Sequence, residues 1–125
     1  MGLFQVDIEV FPANGGSPQT HSVLVDTGAS YLCLPRSLLL SLGYRAIDRQ
    51  RVVFATGQTA VWDVAEVRVR LEGRERTVLA FLGPDEAPKL LGAQTLETFG
   101  LGVDPLRKRL IPVDAYLAVT GPSDK

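Results

Sequence analysis

Asp26 is the residue of this chain whose setting best suits it for chemistry. It closes the apolar run Val23-Leu24-Val25 and is followed at once by Thr27 and Gly28. A β-branched run of this kind reads as a buried strand, and a hydroxyl and a glycine behind the acid read as a sharp turn. A strand that ends this way delivers a carboxylate to a fixed point. One carboxylate can act as a base. Two of them a hydrogen bond apart hold a single proton between them and act as base and acid together. The triplet Asp-Thr-Gly occurs once in the 125 residues. A second acid of the same kind would therefore come from another copy of the chain, and assembly becomes part of the chemistry. The plainer reading of Asp26 is a carboxylate that caps its own turn.

Other reactive groups are few. The single cysteine, Cys33, lies between Leu32 and Leu34 and reads as a small buried hydrophobe; one cysteine forms no intrachain disulfide. The single histidine, His21, precedes the apolar strand. With no second histidine and no cysteine pair, neither a metal site nor a cofactor is expected. Basic and acidic residues nearly balance, 13 against 14, for a net charge of −1. Neither nucleic acid nor an anionic membrane is an expected partner. The one dense basic run, Arg107-Lys108-Arg109, follows Asp104-Pro105 and reads as the solvated tip of a hairpin.

The elements that must position Asp26 follow from the pattern around it. The chain is 46% hydrophobic and 22% charged, values that fit one globular domain. Phe4 to Val10 alternates apolar and polar, as a half-buried strand does. The turn-forming stretch Pro12 to Pro18 joins it to a second strand, Thr20 to Val25. Tyr31 to Leu34 is a short third strand. Pro35 opens and Gly43 closes a helix over Arg36 to Leu42. Strands follow at Arg51 to Ala55, Val61 to Leu71 and Arg76 to Leu82, with Thr56-Gly57-Gln58-Thr59 as a hairpin tip. Leu90-Leu91 is a very short strand ending on Gly92, and a helix spans Gln94 to Phe99. Gly102 to Asp104 and Arg109 to Val113 frame a last hairpin, and Gly121 to Lys125 reads as a loose tail. The segments Leu24 to Gly28 and Lys89 to Gly92 echo one another, each running a strand into a glycine turn. The amino-terminal residues lack the pattern of a secretory signal, and no apolar run approaches the ~20 residues that span a bilayer. A cytoplasmic location with no membrane partner is expected.

Asp26-Thr27-Gly28-Ala29 resembles the active-site motif of the aspartic proteases in its retroviral, or retropepsin, version. The hairpin tip Thr56 to Thr59 matches the position of that family's flap. Leu90-Leu91-Gly92, followed by Leu96, Phe99 and Gly100, is similar to its apolar-apolar-glycine segment and C-terminal helix. The closest likeness is to the small bacterial single-domain members, in which the glycine helix leads into a segment like Gly100-Leu101-Gly102-Val103-Asp104-Pro105. The resemblance implies a mostly β, single-lobe retropepsin-like acid protease fold: closed and β-barrel-like, with a flap hairpin and a short C-terminal helix. One such domain would fill residues 1–125, with its core at about 3–113.

The resemblance also implies a homodimeric aspartic endopeptidase acting on peptide or protein substrates, with Asp26 of each subunit as the catalytic pair. Thr27 and Gly28 would support that pair, Thr27 by hydrogen bonding across the dimer. Ala29, Ser30 and the flap residues Thr56, Gly57, Gln58 and Thr59 would contact substrate. Trp62 either packs beneath the flap or is plain core. Pepsin-like relatives usually carry Ser or Thr where this chain has Ala29, so the pair would titrate higher here. Retroviral members usually carry a carboxylate and an arginine, as an ion pair, where this chain has Ser30 and Ala93. The alternative function is a catalytically silent dimerisation or peptide-binding module on the same fold.

Overall fold

The computed structural model of the chain describes residues 2–122; the last residues of the expected loose tail, 123–125, lie outside the described residues. Strand β1 (Gly2–Val10) and strand β2 (Gln19–Asp26) pair antiparallel, as the alternating pattern and the glycine-rich turn between them require. Their alternate residues Ile8, Val10, Val23 and Val25 are buried, while Asp7, Gln5 and Ser22 face outward. After β3 (Leu32–Pro35) comes helix α1 (Arg36–Ser41), with Pro35 at its N-cap and Gly43 just beyond its end at a φ of +92°. Glycine populates that left-handed conformation at little cost, so it stops the helix cleanly.

Three long strands follow: β4 (Asp48–Val53), β5 (Thr59–Leu71) and β6 (Arg74–Gly83). The β5–β6 turn is two residues, Glu72 and Gly73, both at positive φ. That geometry matches the right-handed twist of the strands it joins. β4 begins three residues earlier than its apolar pattern suggests. Asp48, Arg49 and Gln50 are polar and exposed, yet they pair with Val64, Asp63 and Trp62. A strand with exposed flanks loses the alternation that marks strands in sequence. The chain ends with β7 (Leu90–Leu91), helix α2 (Ala93–Thr98), and the pair β8 (Leu101–Asp104) and β9 (Arg109–Pro112), which form their own two-stranded sheet.

The larger sheet runs β1-β2-β7-β3-β6-β5-β4 and bends into a ring of strands. Glu9 and Val10 of β1 pair with Arg70 and Val69 of β5, leaving β4 outside the ring on the flank of β5. Two pairings are parallel, β2 with β7 and β3 with β6. The echoing segments Leu24 to Gly28 and Lys89 to Gly92 thus lie side by side. Inside the ring Ile8, Val25, Leu32, Leu34, Val67 and Leu91 form the core, with Leu39 of α1 and Phe99 behind α2 closing it. Each such side chain contributes about 1.5–3 kcal/mol by leaving water. No helix among the described residues is long and apolar enough to cross a membrane.

Candidate active site

β2 ends at Asp26, and the chain turns at once. The Gly28 N–H donates to Asp26 Oδ1 at 2.9 Å and the Ala29 N–H to the Asp26 carbonyl at 3.0 Å. The turn is braced from the far end of the sequence. β7 lies parallel to β2, with Leu24 opposite Leu90 and Val25 opposite Leu91, and the Leu24 N–H donates to the Lys89 carbonyl at 2.9 Å. The first amides of α2 then donate into the turn: Ala93 to the Ala29 carbonyl at 2.8 Å, Gln94 to the Ser30 carbonyl at 2.9 Å. Helix N-termini carry N–H groups without intrahelical partners, and here two of them are spent on the turn that carries the acid. The approach is close. A Cβ on Gly92 would stand 2.5 Å from the Tyr31 carbonyl oxygen and 2.7 Å from that of Ala29.

Asp26 opens onto a groove of about 870 Å³, which Gly28, Ala29 and Ser30 also line. Its apolar lining comes from Tyr31, Val52, Phe54, Trp62, Phe81 and Leu90, with Arg51 and Glu86 as its charged members besides Asp26. Four aromatic rings run in contact through this lining. Phe54 meets Trp62 at 5.6 Å between centroids, Trp62 meets Phe81 at 5.9 Å, and Phe81 meets Tyr31 at 4.9 Å. Trp62 therefore sits between the β4–β5 hairpin and the body of the protein. The base of that hairpin is tied down further. Tyr31 Oη donates to Gln50 Oε1 at 3.1 Å, and Asp63 pairs with Arg36 at 2.7 Å and Arg49 at 3.7 Å.

Of the residues expected to contact substrate, Ala29 and Ser30 line the groove. Thr56 to Thr59 are exposed at the hairpin tip and do not line it; the lining stops at Ala55. The tip is held by its own hydrogen bonds, Phe54 N–H to the Gln58 carbonyl and Gly57 N–H to the Phe54 carbonyl, both 2.8 Å. Thr27 does not line the groove; it lines a second cavity with Ala93 and Leu101. The residues that sequence reasoning did not assign to the groove are Tyr31, Gln50, Phe54 and Phe81. The aromatic residues Tyr31, Phe54 and Phe81 carry the signal that marks ordinary core, and Gln50 is an exposed polar strand residue that no sequence pattern singles out.

Cys33 also reaches the groove, but burial pushes its thiol up to about 11 and leaves it almost entirely protonated at neutral pH. Its sulfur lies where a Cβ on Gly83 would come within 2.8 Å, which fixes it as packing. His21 sits away from the groove between Gln19 Oε1 at 3.2 Å and Lys89 Nζ at 3.3 Å. Burial first and the Lys89 charge second lower its pKa, so the ring is neutral at pH 7.

The sequence model of the aspartyl protease family matches residues 6–104. No curated protein sequence matches the chain. Among solved structures, the solution structure of the simian foamy virus (mac) protease superposes with a TM-score of 0.54 at 17% identity. The match covers 75% of this chain and 92% of that one. At that identity the likeness speaks for the fold. The family match spans the acid turn, the hairpin and α2 alike, so the chain belongs to the aspartyl proteases, on a retropepsin-like fold.

Proposed function

We propose that this protein is a homodimeric endopeptidase in which Asp26 of two copies forms the catalytic pair. The observation that carries the proposal is the placing of Asp26, by a braced turn, on an apolar groove that the base of the β4–β5 hairpin helps to line. Each chain offers one such acid. Two copies related by a two-fold axis, the commonest closed assembly, bring two together and join two half-grooves into one channel. An extended peptide fits that channel, with bulky apolar side chains against Tyr31, Trp62, Phe81 and Leu90.

The chemistry follows from two like charges at close range. They resist double ionisation, so the pair carries one proton over a wide pH range, a behaviour for which aspartic proteases are the standard example. The ionised member takes a proton from a water, which attacks the peptide carbonyl. The protonated member gives its proton to the carbonyl oxygen. The Gly28 N–H favours the charged member, and Thr27 on either side of the axis holds the two turns together. Ala29 has no hydroxyl to add to that stabilisation, which moves the pair toward mildly acidic or near-neutral pH. The hairpin tip, Thr56 to Thr59, closes over bound substrate and excludes water.

The test is cleavage of a diverse peptide library from about pH 3 to 7, with wild type beside Asp26→Asn. Cuts made by the wild type alone, with a bell-shaped pH profile, are the expected result. A folded, dimeric wild type that cuts nothing would make the chain a peptide-binding module on the same fold.

A further inference from the structure

Two charged side chains besides Asp26 line the groove: Arg51 from β4 and Glu86 from the loop between β6 and β7. Neither is spent on the protein itself. Among the described residues neither side chain makes an ion pair or a hydrogen bond, and the nearby pairs go elsewhere, Asp63 taking Arg36 and Arg49. The turn that presents Glu86 is firmly built. The Ala87 N–H donates to the Pro84 carbonyl at 2.9 Å, which closes a four-residue turn over Asp85 and Glu86. Pro84 and Pro88 flank the acids, and their rings fix a backbone angle on either side. The two acids have different tasks. Asp85 Oδ1 accepts the Ser37 N–H at 3.0 Å, in the first turn of α1, a helix whose N-cap residue Pro35 supplies no side-chain bond. Glu86, the next residue, lines the groove.

We propose that Glu86 makes this groove selective for peptides that carry a lysine or arginine near their bulky apolar residue. The inference rests on the peptide-groove reading and names the class of peptide that the site takes. In the open groove Glu86 is exposed to water, where an ion pair is worth little. A bound peptide changes that. It expels water, so a carboxylate covered by an uncharged side chain loses its hydration and gains nothing in exchange. A basic side chain restores the loss with a charge-assisted hydrogen bond. Selectivity then has two sources, attraction of the right peptide and a penalty on the wrong one. Arg51 adds to it. It lies on another element, beyond ion-pair distance of Glu86, and repels the same cation. The basic side chain is thereby held to the loop, and the apolar ones are left to Tyr31, Trp62 and Phe81.

The experiment measures kcat/KM for peptide pairs that differ at a single position, lysine in one and norleucine in the other, with the exchange placed at each position around the cleaved bond in turn. At one position the wild type should prefer lysine about tenfold, the value of one hydrogen bond to a charged group. In Glu86→Gln that ratio should fall to about one, and in Glu86→Lys it should invert. Glu86 is exposed on a turn held by backbone bonds, so both variants keep the fold. Cleavage with no preference for lysine at any position, or a preference that survives Glu86→Gln, overturns the inference and leaves the paired-acid reading standing. If the folded, dimeric wild type cuts none of the peptides, the same pairs carrying a fluorescent label are titrated with it and followed by anisotropy. A lysine peptide bound about tenfold tighter, with the difference lost in Glu86→Gln, supports the inference and overturns the paired-acid reading. Equal affinities, or no binding, overturn both.

Discussion

Gly92 shows how one absent side chain sets the position of the turn that carries Asp26. Its hydrogen stands where any Cβ would press on the carbonyl oxygens of Tyr31 and Ala29, and those are backbone atoms that cannot swing aside. Gly92→Ala should therefore cost about 1–3 kcal/mol of stability, the range for overpacking, measured by denaturant unfolding. It should also lower kcat/KM under conditions where the variant is still fully folded, because the displaced turn carries Asp26. A variant as stable and active as wild type would mean that the turn yields to α2 freely. In the sequence, Leu90-Leu91-Gly92 was legible as a pattern but its physical reason was not. The clash is with residues far away in the chain, and nothing local to Gly92 announces it. Cys33 was the easier case, since its apolar neighbours alone foretold a packed thiol.

Among the elements, the β4–β5 hairpin divides into a tied base and a tip bonded only to itself. Asp63 is a main tie, reaching Arg36 where β3 gives way to α1 and Arg49 on the paired strand. These are partly exposed ion pairs, worth about 0.2–1 kcal/mol. Asp63→Ala should raise KM a few-fold and leave kcat nearly unchanged in steady-state kinetics, with the gap narrowing at high salt. An equal fall in kcat would place Asp63 in the chemistry instead. The hairpin was legible from Thr56-Gly57-Gln58-Thr59. The start of β4 was not, because Asp48, Arg49 and Gln50 gain their place by pairing and not by burial. The β8–β9 turn has its own electrostatic pin. Asp104 accepts the N–H groups of Leu106 and Arg107 and an Arg107 guanidinium N–H, at 3.1, 3.2 and 3.1 Å. The Arg107 backbone bond first, and its side chain next, hold the Asp104 carboxyl below its ordinary value. A lowered folded-state pKa stabilises at pH above the unfolded value, ~3.9, and the gain is lost as pH falls through the folded value. The melting temperature of Asp104→Asn should lie below that of wild type at neutral pH and converge with it in strong acid.

For the whole molecule, dependence on a second copy has a kinetic signature. Below the dimer constant the dimer fraction follows mass action. Tenfold dilution should then cost about tenfold in activity per chain, and concentration should restore it. Activity per chain that holds constant at every dilution would overturn the paired-acid reading. What the sequence conveyed at this scale was the strand content, the element order and the family likeness. The closure of the ring was legible only through that likeness, and not in the pattern of any one strand. Its closure rests on Glu9 and Val10 meeting Arg70 and Val69, and its two parallel pairings join strands far apart in the chain. Pairing partners that remote leave no periodic trace in either segment. The same remoteness governs when the acid comes into being. A ribosome makes Asp26 well before the amides of Ala93 and Gln94 that brace its turn. Until those residues emerge, the nascent polypeptide carries its aspartate on a turn that nothing downstream yet holds, so the candidate centre is born long after its acid.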